Sequence, residues 1–310
     1  MEQNRHTLLA FAGLITIGSI WGMTVPLTRI VVSTGHQPLG LIFWQFVVAV
    51  LALGAMLWWR GTPVPVTRSH LFYCLVIAFT GTLLPNSFSY MAAARLPAGI
   101  MGLMIATVPM ISLAMAVAVG NERFRWSRSL GIVLGVAAMM MIALPEASLP
   151  SPDMAPWLAV ALVAPVCYGI EGNFVVKRSP ADLDPMAVLF LASLGGLCFA
   201  GPAAFLSGQW VDLFRPWQAP EKALLASSLA HAVAYSGYLW LVGWAGVVFS
   251  TQIAYVVTVA AIAISIAFLG ESYSVWVWLA AALMLAGLAL VQPVGKLPDP
   301  EPGTLPGEVS

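Results

Sequence analysis

Charge is what this chain most lacks. Only 8% of its 310 residues are charged, against roughly 25% in a soluble domain, so most of the folded surface must face something other than water. The 13 basic and 13 acidic residues cancel, which leaves no polyanion-binding exterior and argues against nucleic acid as a partner. Cysteine is scarce too. Cys74, Cys167 and Cys198 all lie in apolar runs without metal-ligand spacing, so they read as small core residues, and neither a metal nor a cofactor is expected. Catalytic constellations are missing as well. The chain contains no His-Glu-x-x-His, no pair of aspartates within an apolar run and no Ser/His pair at matching depth, while Asp153, Asp182, Asp184 and Asp212 all fall in expected loops. An enzyme needs an acid–base group set that is not here.

What is present is apolar. Hydrophobic residues make up 60% of the chain, and mean hydropathy is +0.90. About 20 apolar residues cross a bilayer as a helix. Ten stretches approach that length: Leu8–Val32, Leu41–Trp59, Leu71–Ala93, Ala98–Val119, Ser129–Leu144, Ala155–Val176, Met186–Leu206, Ala223–Gly243, Val247–Leu269 and Val275–Val291. The first is too long for a cleavable signal and has no small-residue cleavage site after it. The longest connection, Gly208 to Pro220, carries Trp210, Phe214 and Trp217 and suits an interfacial belt.

Basic residues orient the ten stretches. With the N-terminus in the cytoplasm, Arg5, Arg60, Arg68, Arg123, Arg125, Arg128, Lys177, Arg178 and Lys296 fall inside, and only Arg29, Arg95, Arg215 and Lys222 outside. That bias predicts two cytoplasmic termini.

The sequence also repeats itself. Leu96-Pro97-Ala98-Gly99 runs through Pro109 to Gly120-Asn121-Glu122, and Trp244-Ala245-Gly246 runs through Thr258 to Leu269-Gly270-Glu271. Glu122 and Glu271 stand 149 positions apart, as do Pro109 and Thr258. Two halves of five spans each, an odd number, must enter the membrane from opposite sides. The expected fold is therefore an all-α polytopic membrane protein of ten transmembrane helices, arranged as two inverted-topology five-helix repeats. Residues 1–145 form the first repeat, 153–293 the second, and 294–310 a disordered cytoplasmic tail rich in proline. Such duplications place a shared site between the halves near the midplane.

At membrane depth a polar side chain must face a cavity or a partner. Glu171, in Tyr168-Gly169-Ile170-Glu171-Gly172-Asn173, is the sharpest candidate: it can bind a substrate amine or carry a coupling proton. A solvated vestibule or a pair with Lys177 is the plainer reading. Arg29 shares a helical face with Gly22 and Pro26 and can meet a substrate carboxylate, or snorkel outward. His231, Tyr235 and Tyr238 form a stripe at helical spacing, as do Thr251, Tyr255 and Thr258 beside Gln252, and Asn86 with Tyr90. Trp21, Trp44 and Gln45 complete the expected substrate wall. Met101 and Met104 read as packing. Pro26 and Pro109 are expected to break their helices. Glu122 and Glu271 read as structural, each holding the next turn by hydrogen bonds or by a local arginine such as Arg123 or Arg125. The small-residue series Gly131, Gly135 and Ala138 reads as a packing face, within the chain or in a homodimer.

Several of these residues together resemble the EamA-type branch of the drug/metabolite transporter superfamily. The resemblance rests on Ile20-Trp21-Gly22-x-x-x-Pro26, Leu96-Pro97-Ala98-Gly99, Pro109, Gly120-Asn121-Glu122, Gly131-x-x-x-Gly135 and Gly270-Glu271, and covers the chain to about Pro293. Two positions depart from it. Thr258 stands where proline is usual, which predicts a less kinked ninth helix, and Tyr168-Gly169 replaces a tryptophan-glycine pair. The resemblance implies a secondary transporter of the bacterial inner membrane that exports amino-acid-like or other small metabolites, often driven by protons. The cavity candidates suit a small amphipathic or zwitterionic solute. Uptake is the alternative direction, and a channel or an intramembrane enzyme the alternative classes.

Overall fold

In the computed structural model, residues 2–143, 149–180, 182–214, 216–245 and 247–291 are described, and among these there is no strand. The expected 294–310 tail lies outside them. The α-helices are α1 (Glu2–Val31), α2 (Pro38–Arg60), α3 (Arg68–Ile77), α4 (Leu84–Ala93), α5 (Ala98–Ile105), α6 (Val108–Ala118), α7 (Trp126–Ala143), α8 (Ala155–Arg178), α9 (Pro185–Leu206), α10 (Ala219–Ala245), α11 (Val247–Ser250), α12 (Ile253–Leu269) and α13 (Val275–Val291). Seven helical stretches are long and apolar enough to cross a membrane, and α12 and α13 are shorter apolar helices.

Local sequence sets where these helices start and stop. Pro38 and Pro185 open α2 and α9 with a ring already at helical φ. Thr67 and Asp184 accept from the first free amides of α3 and α9. The repeated glycine before each repeated glutamate closes its helix: Gly120 (φ 74°) and Gly270 (φ 65°) adopt the left-handed conformation that a side chain resists.

Three apolar stretches are interrupted. Between α3 and α4, Ala78–Leu83 forms a π-helical turn just ahead of Pro85. The fourth stretch breaks between α5 and α6, where Thr107 Nα bonds back to the Met104 carbonyl and Thr107 Oγ1 bonds the same oxygen. The ninth is broken as well, although Thr258 replaces proline. Its break lies upstream, where Gln252 bonds back to Phe249 and Tyr255 to Gln252 in a tightened turn. Thr258 itself sits inside α12 and bonds the Ala254 carbonyl.

Helix pairing is symmetric between the halves. α1 packs on α10 and α12, and its counterpart α8 packs on α4 and α6. α2 meets α9 and α7 meets α13, each pair joining counterpart elements, and α5 of the fourth stretch meets α12 of the ninth. The small-residue series is covered within the chain, Gly131 by α13 and Gly135 by the Met110 side chain of α6. A β-carbon on Gly131 would lie 2.5 Å from the Gly287 carbonyl and one on Gly287 2.7 Å from that of Gly131, so both positions must stay bare for the helices to approach. This face is therefore spent within the chain.

Candidate functional site

Helices of both halves bring polar and aromatic side chains to one central cavity of about 860 Å³. α1 supplies Trp21, Thr24 and Thr28, α2 supplies Gln45, and α4 supplies Asn86 and Tyr90. From the other half come Tyr168, Glu171 and Asn173 of α8, together with His231, Tyr235 and Tyr238 of α10. Thr251 and Ala254 add the broken ninth stretch.

On one side the rings cluster around Trp21. Its centroid lies 5.7 Å from His231 and 6.0 Å from both Tyr235 and Tyr238, in edge-on or tilted geometry, the arrangement aromatic quadrupoles favour. Facing it is a hydrogen-bond chain that crosses between the halves. Gln45 Oε1 accepts from Asn86 Nδ2 at 2.8 Å and from the Tyr90 hydroxyl at 3.3 Å, while Tyr168 donates to Asn86 Oδ1 at 3.5 Å.

Glu171 lies against the π-helical turn. A β-carbon on Gly81 would meet its carboxylate oxygen at 2.3 Å, so a side chain there would push the acid out of its present position. Among the described residues no hydrogen bond or ion pair reaches this carboxylate. The pairing with Lys177 considered from sequence is not formed, because Lys177 Nζ donates to the Val119 carbonyl at 3.1 Å. An ionised side chain at membrane depth costs about 3 kcal/mol on insertion scales, so Glu171 is held in place by its surroundings without a countercharge from them.

The other expected residues lie elsewhere. Trp44 stands off the cavity wall: it donates to the Val211 carbonyl at 2.7 Å and packs on Trp210 and Phe214 of the long connection. Gln252 sits in the break before α12, and its neighbours Thr251 and Ile253 line the cavity instead. Tyr255 faces a separate shallow groove with Ile15 and Ser19. Arg29 donates to the free carbonyl of Ala93 at the end of α4, 2.5 Å away, and is not part of the wall. Pro26 is accommodated inside α1. Pro109 lies in the first turn of α6, on the wall.

The two repeated glutamates behave differently. Glu271 reaches across the halves to α5: its carboxylate accepts from Ala98 Nα at 2.9 Å and Gly99 Nα at 3.2 Å, and Tyr273 donates to it. Gly99 Nα is also 3.0 Å from the Tyr273 oxygen, and a β-carbon at Gly99 would collide with that hydroxyl. Burial, and then the adjoining carboxylate, raise the Tyr273 phenol above its ordinary pKa, so it remains a donor. Glu122 stays within its own half and pairs with Arg128 at 3.4 Å, not with Arg123 or Arg125. It is half exposed and lines the cavity. The wall thus runs from Thr28, Ala93 and Met101 to Asn121, Glu122 and the 75% exposed Val176. At the Glu271 end the two halves are tied together.

Sequence reasoning missed the π-helical turn, Tyr168 as part of the wall, and the contact of Glu271 with the opposite half. Only the last left a trace, in the pairing of Leu96-Pro97-Ala98-Gly99 with Gly270-Glu271 among the repeated motifs.

A multi-pass helical membrane protein of two related halves around one shared cavity is the architecture of a transporter. The EamA-like transporter family matches residues 8–144 and again 155–292, so the chain belongs to that family. It is 25% identical over 303 residues to the uncharacterised inner membrane transporter YedA of Escherichia coli K12, covering 93% of this chain and 92% of the relative. It is also 25% identical over 276 residues to a probable terminal-alkyne amino-acid exporter of Streptantibioticus cattleyicolor, covering 87% and 89%. In fold it resembles a protein of known crystal structure at TM-score 0.60 and 17% identity, over 93% of this chain and 97% of the other.

Proposed function

We propose that this protein is a secondary carrier of the bacterial inner membrane that exports a small organic metabolite by alternating access. In this reading ten spans form two inverted five-helix halves, with both termini in the cytoplasm. The observation that carries it is the asymmetry of the central cavity: Glu122 and the exposed Val176 lie on its wall, whereas Glu271, which bridges the two halves, does not. Arg123, Arg125 and Arg128 cluster beside Glu122, which favours that end as cytoplasmic. The tie between Glu271 and α5 then acts as the closed outer gate. Inverted halves supply the opposite state by exchanging roles. The names of the two relatives, an inner membrane transporter and a probable exporter, support the location and the direction.

Glu171 is the proposed coupling residue, since a carboxylate without a fixed partner can be neutralised in turn by a proton and by a cargo. Uptake through the same cavity is the second reading, as a carrier follows its gradients. Counterflow in proteoliposomes tests the class: trans-stimulated exchange of a cargo supports a carrier, and flux indifferent to trans cargo rejects it.

A further inference from the structure

The charge inventory of the cavity narrows the cargo. We infer that the transported molecule is an organic cation, a protonated amine or quaternary ammonium on an apolar body without a free carboxylate, held between the Glu171 carboxylate and the rings gathered on Trp21. This rests on the carrier reading and specifies its substrate class.

Two acids, Glu171 and Glu122, stand on the described wall, and no lysine or arginine does. Four basic groups of the wall's helices and their neighbours are engaged elsewhere. Arg29 is bonded to the Ala93 carbonyl, Lys177 to the Val119 carbonyl, Arg128 to Glu122, and Arg95 lies over the Trp157 ring. One further receptor for a carboxylate is a helix N-terminus. α5 contributes Met101 and Ile105 to the wall, but its first amides already hold the Glu271 carboxylate. At the other two helix starts on the wall, Pro109 of α6 has no amide N–H and Met110 bonds back to Thr107, while Gln252 and Ala254 at the start of α12 bond back to Phe249 and Thr251.

A cargo carboxylate would therefore leave water for a wall that carries the partnerless Glu171 and no lysine or arginine, and whose His231 imidazole is packed edge-on against Trp21. An unpaired charge in such a place costs several kcal/mol. An ammonium group meets the reverse situation. Glu171 lacks a partner, and the π-faces of Trp21, Tyr235 and Tyr238 attract cations. The apolar remainder of the wall, including Phe46, Leu53, Ile77 and Val257, accepts the body of such a molecule. A zwitterionic amino acid satisfies half of this arrangement and is repelled by the other half, which revises the zwitterionic cargo expected from sequence.

The test uses four radiolabelled probes on one aromatic body: phenethylamine, phenylalanine, 3-phenylpropionate and phenethyl alcohol. Binding is measured on the full chain in detergent and counterflow in proteoliposomes. Phenethylamine should bind at least tenfold tighter than phenylalanine or 3-phenylpropionate and should show trans-stimulated exchange. Glu171→Gln should weaken phenethylamine at least tenfold and leave phenethyl alcohol unchanged, whereas Glu171→Asp, which keeps the charge, should retain the order of preference. An unchanged melting temperature and the alcohol binding distinguish lost charge from lost fold. Phenylalanine or 3-phenylpropionate equalling the amine, an amine that does not bind, or amine binding indifferent to Glu171→Gln each overturns the inference. Amine binding without trans-stimulation overturns the carrier reading and leaves the ligand class standing.

Discussion

Glu171 owes its place to Gly81, because the π-helical turn presents a bare backbone where any side chain would occupy the space of the carboxylate. π-helical turns recur at functional sites, and here the turn gives an acid room without giving it a partner. Gly81→Ala should therefore displace Glu171, lowering cargo affinity about tenfold while the melting temperature moves little. Glu171→Gln should abolish transport driven by a pH gradient and spare exchange, and unchanged pH dependence would reject the coupling role. Trp21 touches three rings of α10. Trp21→Ala removes both its own face and their common support, and a cation–π contribution of about 0.5–2 kcal/mol predicts a roughly two- to thirtyfold loss of cargo affinity by tracer binding. The importance of Glu171 was legible from charge scarcity alone, since an acid inside an apolar stretch needs a reason. Its freedom from Lys177 was not. That depends on Lys177 reaching the Val119 carbonyl of α6, fifty-eight positions away, and no local pattern encodes such a contact.

At the scale of elements, the repeated motifs acquire two meanings. Glycine before each glutamate ends a helix, as the sequence suggested, while the Glu271 carboxylate caps a helix of the other half, which it did not. Capping residues are worth about 0.5–2 kcal/mol, so Glu271→Ala should lower thermal stability by a few degrees in detergent, with Gly99→Ala acting in the same direction by colliding with Tyr273. Stability unaffected by both would show the tie to be incidental. The α7–α13 contact should be less forgiving. Gly131→Leu places a side chain against the Gly287 backbone, and overpacking of this kind costs about 1–3 kcal/mol or more, to be read as a lowered melting temperature and reduced yield of folded protein. Seven of the apolar stretches were readable as spans because length and hydropathy suffice to mark them. The breaks were harder. Proline flagged the fourth stretch, but the ninth breaks without one, at Thr251–Gln252, where tertiary packing on α1 and α5 overrides local preference.

Over the whole molecule, two related halves share one cavity and differ in how its ends are held. The sequence disclosed the duplication through spacing, and helix pairing repeats it: α1 on α10 and α12 answers to α8 on α4 and α6. What spacing cannot disclose is which end is closed, because both glutamates look alike until one meets α5 and the other Arg128. If the halves are inverted, cysteines placed at Arg123 and Ser272 should react with an impermeant thiol reagent from opposite membrane faces, and labelling from one face would reject the topology. The central claim is that breaking the Glu271–α5 tie turns the same cavity toward the other side. The most direct measurement is impermeant labelling of a single cysteine at Thr28, on the cavity wall, in a chain whose native cysteines are replaced by alanine. Labelling should come predominantly from the Glu122 face in the parent and shift several-fold toward the opposite face in Glu271→Ala. Labelling whose sidedness ignores Glu271 would contradict the account.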